Sequence, residues 1–239
     1  PQFAVFVDDL LSPVVQRIGT TPLPDDSNAM ASLRPRILTN LAIYAENDDA
    51  RETVEETVTS YLAGETPMSD SVERALLTLP RWSGEDLFET YKKRIAVEKS
   101  PGVRRTLVSS LAGFREPEVV NQVLDYVLNG EELRAGVVSR VLAVLFQAEA
   151  INTMLVDWAM QNDAILREML TESEMVRMPG RLMLCSAENV AAISEFYLAP
   201  ERFVGGIENE VAEEAAEKRS CAAFRAREID SVREYLSAS

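Results

Sequence analysis

Residues 83–130 read SGEDLFETYKKRIAVEKSPGVRRTLVSSLAGFREPEVVNQVLDYVLNG, and their punctuation decides the fold. SGED has the Ser-x-x-acid form of a capping box and predicts a helix opening at Ser83. Ser100 followed by Pro101 places a cap before a residue pre-set for the first helical turn, and Pro117 repeats the device before a stop at Gly130. The starts fall about 17 residues apart, so two helices make a unit of roughly 34 residues, the scale of helical hairpin repeats. No tetratricopeptide consensus is present, which leaves a geometric repeat of the HEAT and armadillo kind.

The same periodicity runs outward in both directions. A first helix is expected over 3–18, bent at Pro13, followed by the turn-rich GTTPLPDDSN. Residues 33–45 put Ile37, Leu38, Leu41 and Tyr44 on one core-facing stripe. Asp48 or Asp49 is expected to cap the next helix, and Gly64 to stop it. Further helices are expected in PMSDSVERALLTLP and over 131–147, 149–162, 163–176, 186–198, 205–224 and 226–237, with Gly205-Gly206 as a hinge or helix start. No alternating strand pattern with hairpin turns interrupts them. The fold class is all-α: an α-solenoid of antiparallel helix pairs, HEAT/armadillo-like and curved or bowl-shaped, in a single domain over 1–239.

Composition bounds the chemistry. The 239 residues suffice for a real core, and 46% hydrophobic with 26% charged residues is the make-up of a folded globular protein. A formal charge of −15 repels phosphate backbones, so nucleic acid is not expected as a partner. No run of 18 apolar residues occurs and the opening PQFAVFVDDLL lacks signal-peptide features, so no membrane partner is expected either. A start at Pro rather than Met suggests a piece of a longer protein. Cys185 follows the apolar LML and reads as a buried thiol; with Cys221 it is assigned a structural role, which leans towards a reducing, cytoplasmic setting.

There is no histidine, which removes the Ser-His-Asp triad, the Cys-His pair and the HExxH zinc site, because each needs imidazole as base or ligand. Two cysteines without CxxC spacing cannot form a four-thiolate metal site. Glu208, Glu210, Glu213, Glu214 and Glu217 are chemically able to hold a cation or act as acid and base, but their helical spacing among alanines reads as a solvated face. Trp82, Trp158, Phe88, Tyr91, Phe146, Phe196 and Tyr197 are expected between helices rather than around a ligand. Arg104, Arg105, Arg134, Arg140, Arg177 and Arg181 are the cations of interest: each is either salt-bridged on a helix surface or turned inward to grip a peptide carboxylate.

Four stretches, in order, resemble the C-terminal helical domain of the M1 zinc aminopeptidases. LRPRILTNLAIYAENDDARETVEETVTSYLAG (33–64) is similar to that family's early helix pair, opening with Leu-Arg. SPGVRRTLVSSLAGFREPEVVNQVLDYVLNGEELRAGVVSRVLAVL (100–145) is similar to an Arg-bearing helix ending in Leu-Ala, a Pro-marked turn and two more helices. TMLVDWAMQNDAIL (153–166) supplies the helix with a central Trp leading to an Asn, here Trp158 and Asn162. CSAENVAAISEFYLAPE (185–201) supplies the capped acidic helix running into two aromatics, here Phe196 and Tyr197. The chain departs from the family at RMPGRLML (177–184). The resemblance implies a parent that removes N-terminal residues from peptides, with zinc-polarised water as nucleophile, zinc being held by a catalytic domain absent from this chain. No catalytic, cofactor-binding or metal residue therefore carries over. This chain is implied to cap the active site and shape the internal peptide cavity, its partners being the catalytic domain of the same parent chain and the peptide substrate. The rival is a free-standing HEAT-like scaffold that binds a protein or peptide on its concave face; an acid-base hydrolase built on carboxylates alone comes third.

Overall fold

The computed structural model describes residues 2–21, 23, 25–129 and 135–238. Among them every regular element is helical and there is no strand. The chain divides into two compact units, residues 1–119 with 232–239, and residues 120–231.

The first unit begins with α1 (Gln2–Ile18), which carries Pro13 inside it, and α2 (Asn28–Asn40), whose first turn is closed by the Ser27 hydroxyl accepting from the Met30 amide. Arg34 on α2 is 2% exposed, yet it is fully engaged. Its fork donates to Asp26, with Nη2 to Oδ1 at 3.0 Å, and to the Ile18 and Gly19 carbonyls at 3.0–3.3 Å. A buried cation is tolerable only with such complete partnering. Leu41–Ala45 then widens into a π turn. Because a π turn packs more residues per turn, it rotates the side chains off the preceding stripe. Ile37, Leu38 and Leu41 are buried as expected, but Tyr44 is 49% exposed and meets the Phe3 ring edge-on.

The cap of α3 (Asp48–Leu62) is Asn47 rather than Asp48 or Asp49: its side chain accepts from the Ala50 amide, while the two aspartates occupy the first turn, where they face the positive helix end. The helix ends before Gly64, in accord with the sequence. Ser69 caps α4 (Asp70–Thr78). For α5 (Glu85–Val97) the expected capping box is absent. Gly84 is the cap, and the Ser83 hydroxyl turns back to the Leu79 carbonyl of the preceding 3-10 turn. α6 (Pro101–Ser110) has Ser100 as its cap and Pro101 in its first turn, and α7 (Pro117–Asn129) opens at Pro117. The starts at Glu85, Pro101 and Pro117 lie 16 residues apart, close to the expected spacing. Gly130, the expected stop, and the 131–134 stretch lie outside the described residues.

The core of this unit is made where α4, α5 and α6 meet: Leu76, Phe88, Tyr91, Ile95, Leu107 and Phe114 are fully buried, each contributing roughly 2 kcal/mol by loss of apolar surface. Phe88 and Phe114 stack edge to face, and the Tyr91 hydroxyl is satisfied by the Leu76 carbonyl at 3.1 Å. Arg115 closes the 3-10 turn over Leu111–Gly113 by donating through Nη1 to the carbonyls of Ala112, Gly113 and Phe114. Burial, with the nearby Arg81 charge, brings its pKa down to about 10.

The second unit contains most of α7, α8 (Ala135–Leu145), α9 (Asn152–Gln161), α10 (Asp163–Met169), α11 (Glu172–Val176), α12 (Met178–Met183), α13 (Ala187–Tyr197) and most of α14 (Ile207–Ala238). Three expectations change here. The helix expected over 163–176 is two, because Leu170 is extended and Thr171 restarts the chain with a capping box to Glu174. α12 was not expected, since Pro179 and Gly180 read as breakers; Pro179 sits in the first turn, where its missing N–H costs nothing. The two segments expected over 205–224 and 226–237 are one helix of 32 residues, rich in Ala, Glu and Arg and without an internal breaker. Gly206 at φ +90° provides the left-handed step into it. Phe146 and Tyr197 are buried as expected, while Trp82, Trp158 and Phe196 are half-buried.

Candidate functional site

RMPGRLML, the stretch that departs from the family pattern, forms α12 and the turn after it, and it lines a polar concavity of the second unit. This is a pocket of about 480 Å³ between α12, α14 and the end of α8. Arg177 and Arg181 stand one helical turn apart on its wall, with Gln147, Glu210, Glu214, Glu217 and Lys218 around them and Cys185 and Cys221 at its edge.

Close approach of α12 and α14 is possible because residue 180 is glycine. A Cβ there would lie 2.6 Å from Glu214 Cδ. Glu214 is in turn held by Lys218, which reaches Glu214 Oε2 at 3.0 Å and Glu217 Oε1 at 2.7 Å. The hydrogen bond to Glu217 is the main cause of the raised Lys218 pKa, against burial that lowers it. Thus the lysine is already neutralised.

The two arginines are not. Neither guanidinium has a hydrogen bond or ion pair among the described residues, and Arg181 Nη1 is buried without a partner. Burial and the neighbouring Arg177 charge lower the Arg181 pKa against the opposing pull of Glu174. Burial raises the Glu174 pKa, but bonds from Ser139 and Thr171 and the Arg181 charge outweigh it, so that carboxylate stays ionised. An arginine remains charged regardless. In a chain of net charge −15, these two adjacent guanidiniums without a direct hydrogen-bond partner share the concavity with Glu210, Glu214 and Glu217, and are chemically able to pair with a carboxylate or another oxyanion.

Of the other arginines of interest, Arg104 is half-buried on α6 and engaged, while Arg105 and Arg140 are exposed. They lie apart from the pocket. Arg134 is outside the described residues. The glutamates of α14 divide: Glu208 and Glu213 are solvated, whereas Glu210, Glu214 and Glu217 line the pocket. Sequence reasoning missed Arg34 and Arg115; the turn before Arg34, carrying Asp26, was the available signal for the first.

Cys185 and Cys221 form a disulfide with Cα atoms 5.4 Å apart, which corrects the expectation of a buried thiol. Thirty-six residues separate them in sequence, too far for spacing alone to reveal the pairing; on a chain-entropy basis the link is worth about 4 kcal/mol. Leu184, just before Cys185, has φ +41° and ψ −159°, a conformation almost confined to glycine that costs about 1–3 kcal/mol.

Zinc has no ligand set among the described residues. The sequence has no histidine, and no group of three or more Cys, Asp or Glu among the described residues is arranged to hold a metal ion. Among the described residues no single helix is long and apolar enough to cross a membrane.

Among the described residues the chain is all-helical, with a charged concavity and no metal-holding cluster. Residues 1–218 match the family model of the ERAP1-like C-terminal domain, and the chain belongs to that family, which is found in M1 zinc aminopeptidases. A search of curated proteins finds no match.

Proposed function

We propose that this chain is the non-catalytic C-terminal domain of an M1 zinc aminopeptidase whose catalytic part removes N-terminal residues from peptides. Its helix pairs stack as one curved solenoid domain that caps the active site and shapes the cavity in which a peptide lies. The observation that carries this reading is the family match over residues 1–218, combined with a chain that has neither histidine nor a metal-holding cluster among its described residues. The Arg177–Arg181 pair is the part of the domain best suited to meet a substrate carboxylate: it is charged, partly desolvated and without a direct hydrogen-bond partner, so a bound carboxylate gains a charge-assisted contact without displacing an existing one. Water and zinc chemistry belong to the parent's catalytic part.

The test is direct. The purified chain is assayed for zinc by elemental analysis and for turnover of leucyl- and alanyl-anilides. The expected result is neither bound zinc nor turnover; stoichiometric zinc with hydrolysis would overturn the reading.

A further inference from the structure

We propose that the Cys185–Cys221 disulfide is a thiol–disulfide exchange site, cut and remade by a dithiol reductant, that fastens and releases the middle of α14. This inference stands independently of what the pocket binds.

Three observations carry it. First, both cysteines are only half-buried and both line the open pocket, so a reductant has a route to the sulfurs. A structural disulfide sealed in a core offers none. Second, the bond has unusual leverage. α14 buries Ile207, Val211 and Ala215, but no residue from Ala216 to Ser231 is buried. Over that stretch its links to the rest of the unit include the Arg225–Glu149 ion pair, whose side chains are exposed and screened by solvent, and the disulfide. The helix itself is rich in Ala, Glu and Arg, so over this stretch it stays helical but, once released, opens and recloses more often, as an isolated helix does. Third, Leu184 is held at φ +41° immediately before Cys185. Cutting the tie lets that turn relax, which favours the reduced state.

The pocket also suits the products. Arg177 and Arg181, without direct hydrogen-bond partners, line the same pocket as the two sulfurs; Lys218 is occupied by Glu214 and Glu217, and Glu210 and Glu174 oppose. A thiolate beside guanidinium groups is a better leaving group than one in a neutral setting.

The exchange balances with a dithiol alone. One thiolate of the reductant attacks one Sγ, a mixed disulfide forms as the Sγ–Sγ bond breaks, and the other cysteine departs as a thiolate and takes up a proton. The reductant's second thiol then attacks its own sulfur in the mixed disulfide and frees the first cysteine. The pair gains two electrons and two protons, and the dithiol leaves as a disulfide.

The full chain is treated with dithiothreitol without denaturant, then split between alkylation with mass analysis and amide hydrogen exchange. The expected result is labelling of both cysteines in the native protein, with faster exchange confined to 184–186 and to residues 216–231. Oxidised glutathione should reverse both changes. A Cys185→Ser, Cys221→Ser double variant should show the reduced exchange pattern with or without dithiothreitol. Three outcomes overturn the proposal: a disulfide that opens only in denaturant, thiols that oxidised glutathione cannot join, or reduction that either leaves exchange unchanged or unfolds the whole chain.

Discussion

Gly180 and Glu214 touch across α12 and α14 at a separation that leaves no room for a side chain, since a Cβ at 180 would stand 2.6 Å from Glu214 Cδ. Both residues line the pocket. Gly180→Ala should push the flexible Glu214 carboxylate aside and loosen its bond to Lys218, while alanine gains about 1 kcal/mol over glycine inside a helix, so the net change in chemical denaturation should stay within about 1 kcal/mol. Gly180→Ala combined with Glu214→Ala should be more stable than Gly180→Ala alone, because the obstructing atoms are gone.

Arg181 faces the pocket with a buried, unpartnered Nη1. Arg181→Gln should weaken binding of an acidic peptide about tenfold, the scale of one charge-assisted contact, whereas Arg105→Gln should leave it unchanged. Isothermal titration calorimetry at low and high salt reads both.

The Asp26–Arg34 pair should govern acid stability. The hydrogen bond from Arg34 is the main cause of the lowered Asp26 pKa, below its ordinary 3.8. A carboxyl whose folded pKa is depressed stabilises the fold fully above its unfolded value. That contribution fades as pH falls from 3.8 through the lower folded value. Melting followed by circular dichroism should therefore drop over this range in the wild type. Asp26→Asn should be less stable at neutral pH and show a shallower acid decline.

Leu184 and Leu182 should respond oppositely to expectation from size. Leu182 is fully buried, so Leu182→Ala should cost about 3 kcal/mol. Leu184→Gly removes more side chain but also relieves the φ of +41°, and should stay within about 1 kcal/mol of the wild type.

Arg115 should be replaceable by neither Ala nor Lys. Alanine strands three carbonyls now served by the one nitrogen Nη1, and a lysine side chain ends one atom short of that position, so losses of about 2 and 1 kcal/mol are expected in urea unfolding.

The legible parts of this sequence were those written locally. Ser100-Pro101, Pro117 and Gly206 act on their own backbone and announced helix ends that the structure has. Where two local signals compete, one sequence does not decide: Asn47 beats the aspartates beside it, and Ser83 turns backwards, leaving Gly84 as cap. The candidate site was half legible. Arg177 and Arg181 stand out as cations in an acidic chain, but their lack of partners depends on where α14 comes to lie. The Cys185–Cys221 bond depends on the same docking, and it removes the unpaired thiols on which the expected cytoplasmic setting leaned. Pro179 and Gly180 hid α12, because the features that look like breaks in a string of letters serve there as a helix start and a contact surface.

The proposed role as lid and ruler is tested most directly by adding this chain to a separately produced M1 catalytic domain and measuring peptide trimming against peptide length. The expected result is that the catalytic domain alone trims with little regard to length and gains a length preference when the chain binds. Tight association with no change in that profile, or trimming by this chain alone, would contradict it.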